Sequence, residues 1–165
     1  MNVKEILLDM IERQKRLDIA MYGSNNAEYK EENTRLALID EIGELNHELK
    51  ADWCWWKKTQ APVDREKVLG ELADVAHFCL NIYYHEYPNR PIELLEEAGY
   101  KASKRAKYMA EVSYFYTKLI DTCSDHLILE NLLGLTFKLG FTLEELYEAY
   151  KEKNEINYQR IASGY

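Results

Sequence analysis

Three observations predict an all-α fold for this chain. Glycine (7) and proline (3) are scarce among 165 residues, so turns can interrupt the chain only rarely. Apolar residues recur three and four apart, and no stretch alternates apolar with polar residues as a strand does. Leu, Glu, Lys and Ala, which favour helix, dominate the long stretches. Together these features predict a four-helix-bundle core with additional C-terminal helices, folded as one domain over residues 1–165.

The elements follow in order. Apolar spacing predicts a first helix over about 3–21, closed by "YGSNN". A second is expected from about Thr34, a good N-cap, to about Ala51; Pro62 and Asp64 mark the gap before a third over about 65–86. "YPNRP" breaks the chain, and one long helix is expected from there to about residue 119. Two shorter helices complete the set, near 125–139 and 142–161. The last opens with a capping signature, Thr142 followed by Glu145.

Charge and cysteine content narrow the function classes. A net charge of −8 disfavours binding to duplex nucleic acid or an anionic membrane, since both reward excess Lys and Arg. Charges punctuate the N-terminal twenty residues, so they lack the apolar run of a signal peptide or membrane span. Cys54, Cys79 and Cys123 have no metal-type spacing and read as buried thiols in a reducing compartment. A cytoplasmic protein is the expectation.

Acids carry the first chemical signal. Glu41 and Glu44 in "EIGE", and Glu71 and Asp74 in "ELAD", lie three apart on the second and third helices. Such pairs are commonplace on solvated faces. On a helical wheel, however, the apolar residues of each helix centre roughly 70° from the first acid, so both pairs hug the edge of an apolar stripe rather than lie opposite it. Packing the two stripes together gathers four carboxylates. Like charges that close raise each other's pKa, and an oxygen-only ligand set suits Mg²⁺ or Mn²⁺. Glu48 is a further candidate ligand. "ELNH" and "DVAH" also match the carboxylate-xx-His pattern of di-iron bundles, with Glu12 or Glu145 as possible extra ligands. His47 and His77 lie about 120° behind the acids, which places them at the surface or rim.

Bases and aromatics supply the rest. "WCWWKK" follows the second helix. Trp53 and Trp56 fall on its apolar side and Trp55 does not, so the rings serve either the core or a stacking surface for a nucleobase. Lys57 and Lys58 can meet phosphate oxygens. Lys153, Asn157 and Arg160 fall within about 60° on the last helix, beside Asn154. Asparagine is a poor helix former, and two of them mid-helix suggest contacts made by their side chains. A solvated amphipathic helix is the plainer alternative.

The order Glu-xx-Glu, Trp-Trp-Lys-Lys, Glu-xx-Asp and Lys-Asn-xx-Asn-xx-Arg-xxx-Gly-Tyr resembles the dimeric all-α dUTPases, within the wider all-α nucleoside triphosphate pyrophosphatases that include MazG-like enzymes. The resemblance spans about Gln14 to Tyr165. It implies Mg²⁺-dependent hydrolysis of dUTP, and of dUDP, by a homodimer that binds deoxyuridine nucleotides. It also implies Glu41, Glu44, Glu71 and Asp74 as metal ligands, with Glu41 the choice for general base. Lys153, Asn154, Asn157 and Arg160 would contact phosphate, helped by Lys57 or Lys58, and Tyr165 would close the motif. Gln14 and Asn81 resemble the residues near the base, and the wheel places Asn81 two turns beyond Asp74 on the same face. Two positions depart from the pattern. Ile161 stands where glutamine is usual, and Asp18 where asparagine is frequent. The rival readings are a pyrophosphatase for dCTP or damaged nucleotides, and a non-catalytic helical module whose aromatic run "YKASKRAKYMAEVSYFY" binds a partner; the same run would serve a dimer interface.

Overall fold

The computed structural model describes residues 1–25, 27–89, 91, 93–108, 111–121 and 127–164. Within them eight helices form and no strand does: α1 (Val3–Asn25), α2 (Glu31–Glu48), α3 (Lys50–Trp53), α4 (Arg65–Glu86), α5 (Glu93–Tyr108), α6 (Val112–Asp121), α7 (Ile128–Lys138) and α8 (Leu143–Ser163).

The helix with the most buried residues is α4. It contributes Val68, Leu72, Ala73, Val75, Ala76, Cys79, Leu80 and Ile82 to the core and packs on α1, α2, α7 and α8. Burying side chains around most of its circumference is what lets one helix touch four others. The C-terminal helix α8 belongs to the central group with α1, α2 and α4, while α5, α6 and α7 pack together on its flank. No described helix is long and apolar enough to cross a membrane.

Helix ends account for most differences from the sequence reading. Asp64 accepts from the backbone of Glu66 and Lys67 at the start of α4, and Thr142 with Glu145 forms a capping box on α8. The second helix starts before Thr34: Lys30 is its N-cap residue, Glu31 and Glu32 sit in its first turn, and the Thr34 hydroxyl donates back to the Lys30 carbonyl at 3.1 Å. Acids in a first turn complement the helix dipole, so the start needs no side-chain cap. At its other end the helix breaks at Leu49, and α3 follows as a separate turn.

The long fourth helix is in fact two, α5 and α6, with residues 109–110 between them outside the described set. Tertiary packing explains the break. Both helices pack on α7, an 11-residue helix roughly 16 Å long at 1.5 Å per residue, and a straight rod of their combined length would run far past it. Gly134 of α7 receives Phe115 of α6 so closely that an added Cβ would lie 2.3 Å from the ring. The helix expected from about residue 125 begins at Ile128, and residues 122–126, including Cys123, lie outside the described set. Cys54 and Cys79 are free and buried.

Candidate active site

Leu38, Ile42 and Leu45 of α2 bury against α4, which leaves Glu41 and Glu44 at the rim of that contact facing Glu71 and Asp74. Glu41, Glu44 and Glu71 converge: one carboxylate oxygen from each lies within 4.8 Å of the others. A cavity of about 380 Å³ opens beside them, bordered by Asp40, Gly43, Glu44, His47, Glu48 and Glu71. Asp74 is held from α8 by an ion pair with Lys153.

The electrostatics show what the cluster lacks. Burial, then the charges of Asp74, Glu44, Glu71 and Asp40, push the Glu41 carboxyl up to about 7. Glu71 is also raised, first by burial, then by Asp74, Glu44 and Glu48, with Lys153 opposing. One ammonium does not balance the acids gathered here. The donors are all oxygen and the unmet charge is negative, so the residues fit a hard divalent cation.

Behind the acids runs a buried polar seam between α1, α4 and α8. Asp18 is 7% exposed and accepts three hydrogen bonds: from Gln14 Nε2 at 2.8 Å, Asn81 Nδ2 at 2.7 Å and the Tyr84 hydroxyl at 2.6 Å. The Tyr150 hydroxyl donates to Gln14 Oε1 and the Met10 carbonyl, at 3.0 and 3.1 Å. Burial pushes Asp18 up to about 6 despite its three donors.

His77 is a correction. It lies in this seam at 5% exposure rather than at the rim; its Nδ1 meets the Ala73 carbonyl at 2.8 Å and its ring packs on Tyr150 at 4.3 Å. The α4–α8 contact closes over the back of α4, away from the centre of the apolar stripe by which the wheel of a single helix placed His77. Burial pushes the imidazole down to about 4, so it is neutral. Glu12 pairs with Lys15 and Glu145 is spent in its capping box. Neither these acids nor the two histidines join the three converging carboxylates, so the di-iron pattern is not assembled among the described residues.

The remaining candidates are spread around this frame. Trp53 donates to the Asn46 carbonyl at 2.9 Å and packs on Trp56 at 5.6 Å. All three indoles are exposed, Trp55 at 88%, so Trp53 and Trp56 are not core residues as their apolar-side placement allowed; the break at Leu49 takes them off the α2 stripe. Lys57 and Lys58 are exposed and make no ion pair among the described residues. On α8, Arg160 donates to Asn157 at 3.2 Å, and Asn154 is buried with no partner for its Nδ2 among the described residues. Gly164 caps the helix in the left-handed region at φ 76°, and Tyr165 lies outside the described residues.

A family model described as dUTPase matches residues 6–165. The chain belongs to the dUTPase family. Membership makes it a dUTP diphosphatase, and the acidic cluster between α2 and α4 is the candidate centre for that hydrolysis. No curated protein matches the chain. Sequence reasoning had no hold on Tyr22, Tyr84 or Tyr150 as parts of this dUTPase's interior; the only local signal was the spacing of Gln14 and Asp18, four apart on one helix face.

Proposed function

We propose that this dUTPase hydrolyses dUTP, and dUDP with it, to dUMP by water attack at the α-phosphorus, releasing pyrophosphate from dUTP. Mg²⁺, or Mn²⁺, would be held by Glu41, Glu44, Glu71 and Asp74. The observation that carries this reading is the convergence of three carboxylates within 4.8 Å with their charge unmet. A cation held by these carboxylates would supply neutralisation of phosphate charge and a lowered pKa for water.

The chain's own groups do the rest. Glu41, which borders Glu44 and Glu71, takes the proton of the attacking water. Lys153 starts beside Asp74 and, with Arg160, meets the charge developing on the leaving phosphates, helped by Lys57 or Lys58. Asn154 and Asn157 orient the same oxygens, and Tyr165 closes over them. Trp53 and Trp56 offer stacking faces to the base, while Gln14 and Asn81 read its edge. The whole chain acts as one cytoplasmic domain and pairs as a homodimer. Exposed Tyr100, Tyr108 and Tyr114 on α5 and α6 support the pairing face.

Product release from dUTP, dUDP, dCTP, dTTP and UTP, with Mg²⁺ and with a chelator, tests this. Turnover of dUTP and dUDP that the chelator abolishes is the expected result. Chelator-resistant turnover would remove the metal from the reaction, and loss of dUDP turnover alone would narrow the substrate.

A further inference from the structure

One atom of the buried seam is left over. Asn81 is 6% exposed, and its Oδ1 is sealed from solvent with no hydrogen-bond partner among the described residues. Its Nδ2 is fully engaged, donating to Asp18 Oδ2 at 2.7 Å and facing the Tyr22 hydroxyl at 3.2 Å. A buried carbonyl without a donor is costly, and native structures keep such atoms where a ligand or ordered water completes them.

What stops the amide from turning over is Asp18. A carboxylate has only acceptors, so every group facing it must present a donor. Gln14, Asn81 and Tyr84 do so, and a turned Asn81 amide would set oxygen against oxygen at 2.7 Å. The carboxylate therefore dictates that the free atom of Asn81 is an acceptor. Tyr22, whose hydroxyl faces Asn81, also borders a cavity of about 690 Å³ together with Gly23, Ala27, Glu28, Lys30 and Asn33.

Resting on the reading of Asn81 as the residue that meets the base, we propose that Asp18 is a specificity-determining positioning residue: it locks the Asn81 amide so that the pocket offers an acceptor to the pyrimidine edge. Uracil has an N–H at N3 and satisfies that acceptor. Cytosine has a lone pair at N3 and meets it oxygen to nitrogen, with no proton between. The pocket thus favours uracil because of a residue that itself faces away from the base.

The experiment is the ratio of kcat/KM for dUTP over dCTP in the wild type and in Asp18→Leu, which keeps the shape and removes both acceptors. A loss of discrimination by about ten-fold or more is expected, since unpaired polar groups are what make such pockets selective. A purely structural role would lower both substrates together and leave the ratio unmoved, which overturns the proposal. Asn81→Asp gives an independent reading should the first variant fail to fold. It sets a second carboxyl against Asp18, where the pair holds one proton across the 2.7 Å contact and leaves an acceptor oxygen free on the other side, so dUTP should stay ahead; a reversed or equalised preference overturns the acceptor assignment. Wild-type preference for dCTP would also overturn it. Absence of turnover on every nucleotide would instead sink the functional reading itself and this inference with it.

Discussion

Of the carboxylates in this dUTPase that resist ionisation, Glu41 and Asp18 do so in different surroundings and for different reasons. Glu41, in the acidic cleft between α2 and α4, is pushed up to about 7 by burial and by four other acids. Asp18, in the seam between α1, α4 and α8, is pushed up to about 6 by burial alone, against three neutral donors. The first site carries negative charge that one ammonium leaves unbalanced, which the proposed cation would meet. The second has its donors and leaves only one carbonyl oxygen without a partner among the described residues, which a neutral N–H group would meet. One helix, α4, serves both, with Glu71 and Asp74 toward the cleft and Asn81 toward the seam.

The largest effect should come from breaking the charged site. Glu71→Ala removes one of the three converging carboxylates, and turnover at saturating Mg²⁺ should fall by at least about 100-fold, the upper range seen when even outer-shell metal partners are lost. Steady-state rates on dUTP check this, and full turnover would remove Glu71 from the metal set. The wild type should gain thermal stability with Mg²⁺, about 2.7 kcal/mol at a hundred times the dissociation constant, and the same variant should lose that gain.

A middle-sized effect separates the two carboxylates by pH. In each, the native state holds the proton more tightly than the unfolded chain, so stability is fullest when the group is protonated and falls as it ionises. For Asp18 the fall runs between 3.8 and about 6, and for Glu41 between 4.5 and about 7. The melting temperature of metal-free protein should therefore drop as pH rises from 5 to 8, by about 2–4 °C for each kcal/mol lost at this chain length. Glu41→Gln should flatten the upper part of that drop and Asp18→Asn the lower part. A melting temperature that climbs with pH would contradict both assignments.

The two regions differed as sharply in how readable they were. Glu41, Glu44 and Glu71 could be placed because each pair needs only its own helix and the edge of one apolar stripe. The seam could not, because Asp18 meets Asn81 and Tyr84 across 63 and 66 residues of sequence. His77 shows the same limit. Its own helix puts it behind the acids, and only the packing of α8 makes that side an interior. The break between α5 and α6 was likewise invisible, since α7 imposes it and nothing in the local pattern does.

The smallest effect falls on the seam alone. Tyr84→Phe removes the shortest of the three donors to Asp18 and leaves Gln14 and Asn81 in place. Losing one hydrogen bond to a charged acceptor should cost about 1.5–3 kcal/mol, less whatever water re-enters at this partly exposed edge. The Tyr84 bond favours the ionised carboxyl, so its loss should raise Asp18 further and carry the lower part of the pH-dependent drop to higher pH. The Glu41 part should stay where it was, because among the described residues no hydrogen bond joins the two sites through Tyr84. Thermal melts across pH 4 to 8 on Tyr84→Phe and the wild type decide it. If both parts move together, the seam and the cleft titrate as one unit and the contrast between them fails.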